Sequence, residues 1–101
     1  PKIEAGSSAQ VRKTLEHQKI SWYAKGLKDP KKFTTACWRS YPKGTKFKIN
    51  YHTRSVVTIC DDRGAFEFNG SNVFLDVSSG AFSGLSDLRT GIIYATVEVL
   101  N

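Results

Sequence analysis

SVVTICDDRGAF, residues 55–66, is the stretch whose reading decides the fold. Its first half is apolar and β-branched, which reads as a strand. Two adjacent carboxylates follow, Asp61 and Asp62, then Arg63 and Gly64 in turn chemistry. Successive strand residues point to opposite faces. Asp61 and Asp62 therefore cannot both face one groove unless the strand has already ended. The expectation is that Asp62 faces a groove while Asp61 serves the turn or the solvent. The competing reading is a plain turn held by a structural ion pair, with Arg63 reaching Asp76.

Working outward, KFKINYH (46–52) alternates Phe47, Ile49 and Tyr51 with Lys46, Lys48 and Asn50, a half-buried strand joined to SVVTIC by a short hairpin. YPKGT (41–45) is a tight connection. KISWYAKG (19–26) puts Ile20, Trp22 and Ala24 on one face and Ser21 and Tyr23 on the other. FTTACW (33–38), VFL (73–75) and GIIYATVEVL (91–100) complete about six short strands, and Gly26 to Lys32 form a loop. From Ser78 or Ser79 to Leu88 a short capped helix is expected, weakened by Gly80 and Gly84. Many short strands at close spacing point to a small closed barrel.

The 101 residues allow one small domain with one modest core. The apolar runs are far shorter than the roughly 20 residues of a membrane-spanning helix. PKIEAGSSAQ lacks periodicity and reads as a tail, and VRKTLEHQ reads as a helical turn or more of the same arm, giving residues 1–19 as an arm and 20–101 as the barrel. The N-terminus has no signal-peptide pattern, which fits a processed domain or one made without a signal. The net charge of +6 favours polyanionic partners: nucleic acid, or a cell wall with its carboxylates and phosphates. No recognition-helix or aromatic-stripe motif supports nucleic acid. Cys37 and Cys60 are either a disulfide closing a 22-residue loop or two buried thiols. No metal-ligand spacing occurs, so no metal or other cofactor is expected. His17 and His52 lie outside any motif and read as surface or structural residues.

Taken in order, SWY (21–23), TAC-W (35–38), YPKGTKFKI (41–49), SVVTICDDRGAF (55–66) and FLDVSSGAFSGL (74–85) resemble the rare lipoprotein A family. The likeness covers about residues 20 to 100. It implies a mainly β fold, a six-stranded double-psi β-barrel with one or two short helices, related to expansins and barwin-like proteins. It also implies lytic cleavage of peptidoglycan glycan strands in the cell envelope, periplasm or outside the cell. The family's motif aspartate falls on Asp62, which would act as general acid and then general base. Such an acid needs apolar surroundings that hold its proton. Asp76, in LDVS, matches the family's Asp-Leu-Ser and is expected to cap the helix or accept from Arg63, and Ser78 to be the N-cap. Where many members carry a histidine, this chain has Trp38, which stacks on sugars but cannot exchange a proton. That departure favours an alternative: a catalytically silent, expansin-like module that grips cell-wall polysaccharide, or a structural part of an envelope or virion. Trp38, Tyr41, Arg63, Phe66 and Tyr23 are the candidate substrate-binding residues.

Overall fold

A computed structural model describes residues 11–23, 33–64, 66 and 69–100. Residues 1–10 of the expected arm, Ala24, and the loop of 26–32 lie outside them. Six strands close into a barrel: β1 (Val11–Tyr23), β2 (Thr34–Ala36), β3 (Lys46–Tyr51), β4 (Arg54–Asp62), β5 (Val73–Ser78) and β6 (Ile92–Leu100). Around the barrel they run β1-β5-β2-β4-β3-β6 and back to β1. The β1–β5 and β2–β4 pairs are parallel and the others antiparallel. Because the order closes on itself, every strand has a neighbour on both sides.

Alternation decides what goes inside. On β4, Val56, Thr58 and Cys60 are buried while Val57 and Ile59 are exposed. Phe47 and Ile49 on β3, Leu75 and Val77 on β5, and Val97 on β6 are fully enclosed with Ile20 of β1. Each such side chain contributes about 1.5–3 kcal/mol relative to exposure. Thr58 is tolerated there because its hydroxyl donates to the Phe47 carbonyl at 3.4 Å.

The first strand begins earlier than the sequence indicates. Residues 11–19, expected in the arm, pair antiparallel with β6. The β1–β6 register shifts between Val11 and Lys13 and again between Leu15 and Gln18. His17 sits in the second shift at φ 59°. These bulges break the period of two, and with it the strand signal.

The helix α1 (Ser79–Ser83) is shorter than expected, and a 3₁₀ turn covers Leu88–Thr90. Ser78 is the N-cap, accepting from the Ala81 amide at 3.3 Å. The helix stops at Gly84, where a Cβ would lie 2.8 Å from Val56 Cγ1, so the chain packs onto β4 too closely for a side chain. Trp22 closes this end of the core, tilted against Phe82 and donating its indole N–H to the Leu88 carbonyl at 2.9 Å.

Cys37 and Cys60 form a disulfide. It ties the end of β2 to β4 across the core. The chain-entropy argument gives such a loop about 3 kcal/mol. The double variant Cys37→Ala/Cys60→Ala is expected to lose roughly that amount in denaturant unfolding; a loss under about 1 kcal/mol would contradict the tie's stabilising role.

Candidate functional site

The register around β2 builds a row of residues across four strands. Ser21 of β1 pairs with Asp76 of β5, Asp76 pairs with Ala36 of β2, and Ala36 pairs with Asp62 of β4. The β2–β4 register shifts between Thr35 and Ala36, so that Thr35 pairs with Cys60 but Ala36 with Asp62. Asp61 is the extra residue. This resolves the puzzle of two adjacent carboxylates: by strict alternation from Cys60, Asp62 would point inward, and the bulge re-aims it. Asp61 is left exposed to solvent.

Asp62 and Asp76 accordingly line one cleft of about 400 Å³ with Tyr23, Ala36, Arg63 and Gly64. With β2 between them, their Cα atoms stand about 10 Å apart, two strand spacings. Two environments result. Asp62 is exposed, and its Oδ1 accepts from the Arg63 amide at 2.8 Å. Asp76 is half-buried, and its Oδ1 accepts from the Ser21 hydroxyl at 2.8 Å. Burial pushes the Asp76 carboxyl above the usual aspartate value of 3.8, and the Ser21 bond offsets part of that rise. Asp76 is thus a carboxyl group whose surroundings favour its protonated form. Asp76 does not cap α1, since Ser78 does so.

Arg63 pairs with neither aspartate among the described residues. Its Nη1 donates to the Tyr41 carbonyl at 2.7 Å and the Trp38 carbonyl at 2.8 Å. That nitrogen carries two protons, so these short bonds use its donors, and the longer approaches to Cys37 at 3.2 and 3.5 Å are secondary. Arg63 therefore pins the 38–41 turn and leaves both carboxylates unneutralised by it. Tyr23 is fixed by a 3.2 Å bond between its hydroxyl and Thr34 Oγ1.

Of the candidate binding aromatics, Tyr23 lines the Asp62 cleft and the others lie elsewhere. Phe66 is buried, packed with Ala36 and Val73, with Trp38 against it at 6.4 Å between ring centres. A Cβ on Gly64 would fall 2.1 Å from the Phe66 ring, so glycine is what lets that ring tuck under the motif. Trp38 donates its N–H to the Val73 carbonyl at 3.0 Å. Trp38 and Tyr41 line a second cavity of about 310 Å³ with Gln18, Ser40, Asn72 and Phe74. Trp38 and Asp62 thus serve separate cavities joined through the Ala36–Phe66 cluster. Sequence patterning missed Ser21 and Ala36, because their place follows from cross-strand register. His17 and His52 line a third, polar cavity with Tyr51 and Tyr94. No group of three or more metal-ligating side chains forms among the described residues.

No protein-family model matches the chain, and no curated protein matches it by sequence. Solved structures do match by shape. The Streptomyces papain inhibitor superposes with a TM-score of 0.69 at 17% identity, over 90% of this chain and 97% of that one. An expansin from Clavibacter michiganensis, a point variant in complex with cellohexaose, gives a TM-score of 0.67 at 18% identity. The same expansin without ligand gives 0.68 at 19%. In both cases the match covers 88% of this chain and 51% of the expansin, so the chain spans about half its length. The fold is a double-psi β-barrel.

Because Asp76 has its pKa raised by folding, its contribution to stability is present below the ordinary aspartate value and is lost as pH rises through the higher native one. Asp76→Asn is therefore expected to gain melting temperature relative to the wild type as pH rises from about 4 to 7. A difference that moves the opposite way across that range would show that the carboxylate is stabilised by the fold.

Proposed function

We propose that this barrel is an expansin-like module that grips cell-wall polysaccharide along the Asp62–Asp76 cleft. The observation that carries the reading is the row Ser21–Asp76–Ala36–Asp62. It sets hydrogen-bonding groups in a line across four strands, over a small floor at Ala36. Sugar hydroxyls need carboxylate and hydroxyl partners on a rigid surface, and strands hold them more firmly than loops. The cleft's volume falls within the usual range for ligand sites. The expansin whose structure holds cellohexaose has the same fold and supports this choice of ligand class. The disulfide fits an oxidising compartment, such as the cell envelope or the outside of the cell.

One observation favours a second reading, the lytic cleavage of peptidoglycan implied by the likeness to rare lipoprotein A. Asp76 is biased toward its protonated form and shares its cleft with the exposed Asp62. A lytic reaction needs a proton donor to the glycosidic oxygen and an acceptor for the attacking hydroxyl. In that reading Asp76 supplies the first and Asp62 the second.

Co-sedimentation with microcrystalline cellulose and with purified sacculi tests both. The wild type is expected to be retained, and Asp62→Asn/Asp76→Asn to bind roughly tenfold more weakly, about 1.4 kcal/mol. Anhydro-muropeptides released by the wild type alone would move the conclusion to the lytic reading. No retention on either glycan, together with inhibition of papain, would replace both with an inhibitor function.

A further inference from the structure

The Trp38–Tyr41 cavity is one half of a longer trough. Ser40 and Tyr41 line both that cavity and a neighbouring one of about 420 Å³, completed by Arg12, Lys13, Pro42, Thr45 and Val99. The two halves differ in chemistry. The first offers the rings of Trp38, Tyr41 and Phe74 beside the amides of Gln18 and Asn72. The second offers two cations beside the hydroxyls of Ser40 and Thr45.

Two consecutive strand residues normally point to opposite faces. Arg12 and Lys13 do not, because the β1–β6 register shifts between Val11 and Lys13. The bulge turns both cations into one cavity at the rim of the barrel, where bulges commonly re-aim side chains. Neither cation forms a salt bridge among the described residues. Residues 38–48, the segment that supplies Ser40, Tyr41, Pro42 and Thr45 to the lining, contain no acidic side chain to neutralise them. The aromatic half is already ordered: Tyr41 packs edge-on against Phe47 and Phe74, with ring centres 5.2 and 5.9 Å away. The Trp38 N–H is committed to Val73, which leaves the indole to act through its ring.

We infer that this trough is a second binding site, for an acidic saccharide whose sugar ring lies against Trp38 and Tyr41 and whose carboxylate or phosphate meets Arg12 and Lys13. Aromatic faces take the apolar side of a pyranose, and a pair of cations with flanking hydroxyls takes an anion through charge-assisted hydrogen bonds. The Asp62–Asp76 cleft presents the opposite charge and disfavours such a ligand, so the two sites select different parts of a wall. The inference stands independently of the polysaccharide reading of that cleft.

The test is a heteronuclear NMR titration of the whole chain with four probes: tetragalacturonate, its fully methyl-esterified form, glucose 6-phosphate and inorganic phosphate. Tetragalacturonate or glucose 6-phosphate is expected to shift Arg12, Trp38, Ser40 and Tyr41, and which of the two binds tells carboxylate from phosphate. Esterification is expected to weaken binding roughly tenfold, as is Arg12→Gln/Lys13→Gln, a variant whose melting curve reports that it folds. The acid–ester comparison needs no variant and decides the matter if the double substitution unfolds. Equal binding of acid and ester, inorganic phosphate binding as tightly as the sugar phosphate, or no shift at the trough with either acidic sugar would overturn the inference.

Discussion

Closure of a six-stranded barrel from short strands is the constraint on which the rest depends. Each strand must bury one face inside a narrow core and still have a neighbour on both sides. Regular strands cannot meet both demands here, and the register shifts at β1–β6, β1–β5 and β2–β4 are where the ladder gives way. Those same shifts place the chemistry. One brings Asp62 into line with Asp76, another turns Arg12 and Lys13 into a shared cavity, and a third puts His17 in a left-handed conformation at the wall of a polar cavity.

The disulfide and Arg63 hold this arrangement from within. Cys37 and Cys60 join β2 to β4 just before the bulge, and the Cys37 amide donates to the Asp62 carbonyl at 3.0 Å. Arg63, the residue after the bulge, reaches back to the carbonyls of Trp38 and Tyr41. The DDRG motif therefore does two jobs at once. Its second aspartate faces the cleft, and its arginine fixes the turn that carries the aromatic half of the second trough. Losing the guanidinium would strip the Tyr41 carbonyl of its donor, a cost of about 1–3 kcal/mol if it is left buried, while the Trp38 carbonyl would keep the Tyr41 amide at 3.0 Å.

Much of the fold was legible because alternation is a direct record of burial. Phe47 and Ile49, Val56, Thr58 and Cys60, and Ile93, Ala95, Val97 and Val99 all face the core at a spacing of two. The Ser78 cap was legible for a similarly local reason. What escaped was non-local. The start of β1 was hidden because its bulges interrupt the alternation around Arg12 and His17. Where Trp38 lies was not legible, because it rests against the Phe66 ring that Gly64 admits. The raised pKa of Asp76 was not legible because it comes from burial in the folded barrel, and the Ser21 hydroxyl that offsets part of it lies 55 residues away in sequence. The six-stranded double-psi architecture implied by the family likeness agrees with the structure.

A bulge between Thr35 and Ala36 turns one of two adjacent carboxylates, Asp62, onto a cleft spanning four strands and leaves the other, Asp61, to solvent. Mapping amide chemical shifts during a titration with cellohexaose tests it most directly. A contiguous band of shifts through Ser21, Asp76, Ala36, Asp62 and Gly64 is expected, with Asp61 little affected. Binding that perturbs only the outer face of the β3–β4 hairpin, around Val57, Ile59 and Lys48, would contradict that placement.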